Sequence, residues 1–403
     1  MTHSEIVTEV NCHICNGQLE SFEEFGVLRQ IASDCRPHQR GGYLSICQNC
    51  GTVQRPVTTE WAASVKKIYA NYRLFSQGLE QLEEFIFQSA TGEKVSRSFK
   101  MISWLNTITQ LPSNGSLLEI GCGNGGFLAN FSSYRPQWQL TGLDIGDGGK
   151  NLIEKIPNAL YIQGSLEALD PELNYDLVVL SHTLEHIPNP LPLLKEVFGK
   201  LSESGMIFIQ GPNLNSAPFD ILVADHCSFF TSETLTSLLE ECGFTILNVS
   251  TDTLPKEISV LGQKCSGIVH KNQDREIDFL STKKMIVGNI DFLLSLRSQS
   301  LKIKEDNLDI GIFGTSISSS WLFGELEGVK FFVDENPKRI GNTHLGTPIL
   351  DSNVLSDQDI VLMPFRHDIA KSIADRLHKN LKLKDVFLLP SPLNKSHHNI
   401  HIK

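Results

Sequence analysis

Between Leu117 and Ser250 the chain alternates short, almost continuously apolar runs with longer stretches of helical periodicity. The runs are SLLEIG, QLTGLDI, ALYIQG, YDLVVL, GMIFIQG and FTILNVS. Strands that are apolar on both faces and separated by helices need cover on both sides, as in a parallel sheet. The pattern predicts a doubly wound α/β domain over residues 112–250.

Upstream, Trp61 to Leu111 reads as mostly helical, with one apolar face at Leu79, Leu82, Phe85 and Ile86 and another at Phe99, Ile102, Trp104, Leu105 and Ile108. Pro112 and the turn Ser113-Asn114-Gly115 end that region, which is assigned 61–111. Downstream, a helical stretch from about Asp274 to Ser300 leads into a second alternating series, IGIFG, KFFVD, DIVLMP and DVFLLP. This predicts a smaller α/β domain over 251–403. Residues 1–60 have little periodicity and carry five of the nine cysteines, which predicts a small, loop-rich module.

A chain of 403 residues exceeds one compact core and fits two or three domains. A composition of 40 % hydrophobic and 20 % charged residues is that of an ordinary globular protein. The formal charge of −11 gives no basic stripe for a phosphate backbone, so no nucleic-acid partner is expected. No window approaches the roughly 18 apolar residues of a membrane span, and Met1 to Val10 lacks the basic start and apolar stretch of a signal peptide. The expectation is a cytoplasmic protein with no membrane partner, its cysteines thiols or metal ligands. Its oligomeric state is not legible.

Cys12 and Cys15 form one Cys-x-x-Cys knuckle and Cys47 and Cys50 another, thirty-one residues apart. Two such knuckles can set four thiolates around a zinc ion, which would supply folding energy that a small core cannot. Four thiolates leave no open coordination position, so the expected Zn²⁺ is structural. The loop between the knuckles is long, and His13, Cys35 and His38 are possible substitute ligands.

In LLEIGCGNGGFL a strand runs into a turn whose glycines, Gly121, Gly123, Gly125 and Gly126, let the backbone approach a ligand closely. Gly-x-Gly turns also serve NAD and FAD, so the surrounding residues decide the cofactor. Glu119 near the strand end can take the cationic methionine end of S-adenosylmethionine (SAM). Asp144, nineteen residues after Gly125, suits both ribose hydroxyls. Gly164, Ser165 and Leu166 end a third strand where an adenine ring can be held. Asn124 and Ile145 join this expected cofactor set, as do Ser181 and His182. The pattern His182-x-x-Glu185-His186 also matches a zinc peptidase, but directly after YDLVVL it reads as the segment lining the SAM pocket.

Leu118 to Ala129, Leu143 to Ile145, Gln163 to Leu166 and YDLVVLSHTLEHIPNP resemble successive motifs of class I SAM-dependent methyltransferases. The expected fold is therefore α/β: a class I, Rossmann-like core with an N-terminal four-cysteine zinc module and a smaller C-terminal α/β domain. The whole order, from the cysteines through YANYRLFSQG, the SAM motifs and ADHCSFFT to GIFGTSISSS and DENPKRIGNTHLGTPI, resembles the sugar C-methyltransferases of nucleotide-linked 4-keto-6-deoxy sugars.

That resemblance implies a small-molecule nucleotide-sugar substrate contacted by Tyr69 and Tyr72, with His186 nearby. It implies a base at His226 with Asp225, and a C-terminal domain that helps form the cleft. Three positions depart from the family pattern: Val223 stands where a tyrosine is usual, Asp225 where a glutamate is, and Glu185 where alanine is common. O- or N-methylation of another small metabolite is the alternative these departures leave open. In the C-terminal series, the turn from Gly314 into Ser316–Ser320, with Asp334 twenty residues on, has the form of a phosphate-holding loop.

Overall fold

The computed structural model describes residues 11–70, 85–87, 94–265, 279–307, 309–381, 386–388 and 390. All six predicted runs of the large domain are strands: β1 (Ser116–Ile120), β2 (Gln139–Asp144), β3 (Ala159–Gln163), β4 (Tyr175–Ser181), β5 (Leu201–Pro212) and β6 (Phe244–Ser250). A seventh, β7 (Glu257–Lys264), lies beyond the predicted boundary at residue 250. The sheet order is β3-β2-β1-β4-β5-β7-β6. The first five strands run parallel, and β7 is antiparallel to both β5 and β6. A parallel sheet was the expectation; the exception is β7, which returns from β6 as an antiparallel hairpin and so needs no crossover helix.

Period-two alternation builds both faces of this sheet. Leu118, Ile120, Val178, Leu180, Ile207 and Ile209 belong to one core, while Leu117, Leu177, Val179, Phe208, Phe131 and Trp138 belong to the other. The helix Arg97–Ile108 contributes Met101, Ile102 and Leu105 to the second core. Phe99, placed by periodicity on that face, is instead exposed, because it lies off the stripe that Met101, Ile102 and Leu105 share. The region 61–111 is also less helical than expected. Helix Thr59–Ala70 and helix Arg97–Ile108 flank a strand pair, Phe85–Phe87 with Lys94–Ser96, and Phe-Ile-Phe is a β-favouring run. Leu79, Leu82 and Tyr72 lie outside the described residues.

The cysteine knuckles sit on a four-stranded sheet ordered Leu19–Ser21, Ser45–Cys47, Val53–Gln54 and Ser228–Phe229. Its last strand comes from far along the chain, a pairing no local signal announces.

The chain divides into two compact units: Met1–Glu23, Tyr43–Ile86 and Lys94–Met285 form the first, and Glu24–Gly42, Phe87–Glu93 and Ile286–Lys403 the second. In the second unit a six-stranded sheet includes all four predicted runs as Ile310–Phe313, Phe331–Asp334, Ile360–Leu362 and Phe387–Leu388. Thr347–Asp351 and the short Thr343–His344 extend it. The hairpin Arg29–Ile31 with Pro37–Arg40, drawn from between the knuckles, belongs here too. Its Arg40 guanidinium and the Arg29 amide both donate to the buried Glu325 carboxylate, which Arg297 also meets. The long spacing between the knuckles thus serves this hairpin. Among the described residues no helix is long and apolar enough to cross a membrane.

Candidate functional site

The turn after β1 is built for close approach. Gly121, Gly123 and Gly125 all have positive φ (72°, 50° and 80°). A Cβ on Gly121 would collide with Thr183 and one on Gly125 with Ile153, whereas one on Gly123 would meet nothing within 4 Å. The Gly123 backbone therefore borders open space at the start of helix Gly126–Tyr134, beside the buried Asn124. Asp144, at the end of β2, accepts the Gly123 N–H at 2.9 Å through Oδ2 and the Gly146 N–H at 2.9 Å through Oδ1. Each oxygen keeps a lone pair for a ligand hydroxyl.

Glu119 is buried, and its Oε2 has no hydrogen-bond partner among the described residues. Burial, then the Asp144 charge, pushes its carboxyl well above the usual range. A buried carboxylate in that condition suits a cationic ligand group, whose arrival would restore its charge. Ile145 is 69 % exposed directly after Asp144. Gly164, with φ 143°, donates to the Asp144 carbonyl at 2.8 Å. Leu166 points into the core, so beside an adenine only Ser165 and the backbone here are open.

Past β4 the segment Ser181–His186 carries charge in two directions. His182 adopts a left-handed backbone (φ 49°), and its ring stands 3.1 Å from Glu185 Oε1 and 3.4 Å from Glu257 Oε1. Burial and Arg97 act against its charge, but Glu257 and Glu185 prevail and raise its pKa to about 10. Burial would raise the Glu185 carboxyl, yet His182, His226 and His186 bring it down to about 2. Ser181 Oγ donates to Gln210 Oε1 at 3.1 Å, which also accepts from Arg97 at 2.6 Å.

His186 faces the other way. Its Nδ1 lies 3.0 Å from the Tyr69 hydroxyl, 3.1 Å from the Asp225 carbonyl and 3.4 Å from Asp225 Oδ2. Burial and the neighbouring His226 lower its pKa. With two acceptors of Asp225 around it, Nδ1 is the protonated nitrogen, an assignment made from its surroundings. The His226 ring stands edge-on to His186, centroids 4.5 Å apart. Its Nδ1 is 2.9 Å from Asp220 Oδ1. Burial opposes its charge, but Asp220, Glu185 and Asp225 outweigh burial and raise its pKa.

The expected pairing of Asp225 with His226 is therefore replaced. Asp225 is fully buried against His186, and the carboxylate at His226 Nδ1 is that of Asp220. Asp220 was missed: a residue six positions ahead of the histidine shows its role only once the loop folds back.

Residues 94–249 match the family described as methyltransferase domain. They form a methyltransferase domain. Ubiquinone biosynthesis O-methyltransferase of Vibrio cholerae is 35 % identical over 107 residues, 25 % of this chain and 42 % of that protein. The enzyme of the same name from Albidiferax ferrireducens is 28 % identical over 131 residues, 30 % of this chain and 50 % of that one. The chain spans about half the length of the curated relatives it matches. Among solved structures, human N-acetylserotonin methyltransferase in complex with SAM is similar at a TM-score of 0.36 and 19 % identity, over 42 % of this chain and 52 % of that one.

Beside the methyltransferase sheet, the four cysteines converge. Cys12 Sγ is 3.7 Å from Cys50 Sγ, and Cys15 Sγ is 3.5 Å from Cys47 Sγ. The four sulfurs all lie within 4.8 Å of one another. Tetrahedral Zn–S bonds of about 2.3 Å would set sulfurs about 3.8 Å apart, so the donor set fits. Backbone N–H groups of Ile14, Asn49 and Cys50 point at Cys12 and Cys47 sulfurs at 3.4 Å, and Gln54 Nε2 donates to Cys12 at 3.0 Å. Donors aimed at sulfur favour the thiolate form. His13, Cys35 and His38 are not in this cluster.

In the second unit, the Gly314 turn is closed on itself. Thr315 Oγ1 donates to Asp334 Oδ2 at 2.7 Å, Arg339 donates to Thr315 Oγ1 at 2.7 Å, and Ser319 donates to the Phe313 carbonyl at 2.7 Å.

Proposed function

We propose that the chain moves a methyl group from SAM to a small-molecule acceptor, a nucleotide-linked keto-deoxy sugar, and places it on carbon. The observation that carries this reading is the paired arrangement of His226 on Asp220 beside His186 on Tyr69 and Asp225. Both pairs lie in the same unit as the glycine loop.

When bound, SAM supplies an electrophilic methyl group. Glu119 would take its ammonium end, Asp144 its ribose, and Ile145 and Ser165 its adenine. Abstraction of a proton next to a ketone needs a base within reach. With Asp220 Oδ1 2.9 Å from His226 Nδ1, the carboxylate would favour a proton on Nδ1 and leave Nε2 as the accepting nitrogen, in the manner of a carboxylate-oriented imidazole. Tyr69 and His186 would orient the acceptor's oxygens, with Tyr72 as a further contact. In-line displacement then depends on holding acceptor and methyl in register and excluding water. In the same reading, a structural zinc ion sits on Cys12, Cys15, Cys47 and Cys50.

Methylation on oxygen is the second reading, favoured by two observations: the curated relatives are named O-methyltransferases, and Val223 offers no hydroxyl to an enolate. There His226 would take a hydroxyl proton. Incubation with labelled SAM and a panel of 4-keto nucleotide sugars, followed by NMR of the product, tests both. A new C–CH₃ signal supports the first reading and an O–CH₃ signal the second; no transfer to any sugar would sink the substrate assignment.

A further inference from the structure

The loop bearing Asp220, Asp225 and His226 has only one 3-10 turn, Asp220–Leu222, before the strand Ser228–Phe229. That strand is the outer strand of the cysteine module's sheet, with Ser228 opposite Gln54 and Phe229 opposite Val53. Arg55, next along the chain, is 2 % exposed. Its backbone N–H donates to the Cys227 carbonyl at 2.9 Å. Its guanidinium donates to the carbonyls of Ile221 (3.0 Å), Val223 (3.2 Å) and His226 (3.2 Å). Trp61 adds an indole N–H bond to the Ala224 carbonyl at 2.9 Å.

Buried carbonyls outside helices and strands must find donors, and a planar, five-donor guanidinium can meet several from one position. We propose that Arg55 is a positioning residue for methyl transfer: its fork fixes the path of residues 220–227 and thereby holds Asp220 and His226 towards the acceptor. This rests on the reading of His226 as the base. The guanidinium's bonds to the carbonyls of Ile221, Val223 and His226 fall on this loop, so its expected effect is on the loop and not on cofactor binding. Methionine keeps the apolar stem and removes all donors, while lysine keeps the charge but loses the fork.

The test compares R55M and R55K with H226N in the full chain. R55M is expected to bind SAM as wild type in calorimetry, to show faster amide hydrogen exchange across 220–228, and to lose about 10²-fold in kcat, the scale of a misplaced reacting group. R55K should recover part of both losses. Unchanged exchange in R55M, or wild-type kcat in R55M while H226N is inactive, overturns the proposal. Raised exchange in R55M with wild-type turnover by H226N would overturn the base assignment and leave Arg55 as the loop's anchor. If R55M does not fold, R55K decides: wild-type exchange and kcat there overturn the role of the fork.

Discussion

Asp220 Oδ1 lies 2.9 Å from His226 Nδ1, while Asp225, adjacent to His226 in the chain, faces His186 at 3.4 Å. The two imidazoles are thus backed by different carboxylates and are moved in opposite directions, His226 up and His186 down. A base with a raised pKa is protonated below it, so kcat/KM should rise with pH through a limb above 6.5, the ordinary histidine value. Asp220→Asn removes a charge that raises His226 and should move that limb to lower pH, with the plateau reduced about 10²-fold. A limb that stays in place would detach Asp220 from the base.

Glu119 is the sharpest test of the cofactor site. Its buried, unpartnered Oε2 calls for a donor, and a charge-assisted hydrogen bond contributes about 1.5–3 kcal/mol. Glu119→Gln should therefore weaken SAM binding about 10- to 100-fold in calorimetry. Asp144→Asn should weaken it as well, since one lone-pair-bearing oxygen becomes an amide. Unchanged SAM affinity in both variants would detach Glu119 and Asp144 from the cofactor site.

For the thiolate cluster, metal analysis of the purified chain should find about one zinc per chain. Because such binding contributes to folding, a strong chelator or Cys47→Ser should lower the apparent melting temperature. A metal-free chain with an unaltered melting curve would show that the four cysteines hold the module without an ion.

How much of this could be read in advance follows from the range of each interaction. The six strands of the large sheet are legible because burial on both faces leaves an apolar run in each. β7 escapes because it follows the boundary suggested by the last alternating run and enters antiparallel. Glu119, Gly123 and Asp144 are legible because a strand, a tight turn and a second strand set them at short, fixed spacing. Asp220, Arg55 and the strand Ser228–Phe229 are not. Their partners lie at distances in sequence that only the folded chain reveals, 171 residues in the case of Arg55 and His226. Tyr69 is an intermediate case: it comes from the resemblance, and its bond to His186 spans 117 residues.

Arg97 donates to both oxygens of Glu257 at 2.8 and 2.6 Å, and His182 stands 3.4 Å from the same carboxylate. Arg97 and Glu257 side chains are 9 % and 11 % exposed. Removing one partner of a buried pair strands the other, so Glu257→Gln should cost about 3–5 kcal/mol in denaturant unfolding. The double variant R97M/E257L should be less damaged than either single change, since neither Arg97 nor Glu257 is then stranded by loss of the other. The pH dependence follows from His182, whose pKa rises from an ordinary 6.5 to about 10. Its contribution is full below pH 6.5 and is lost as pH climbs to about 10. The stability gap between wild type and Glu257→Gln should therefore narrow across that window. A gap independent of pH between 6.5 and 10 would mean that His182 is not a charged partner of Glu257.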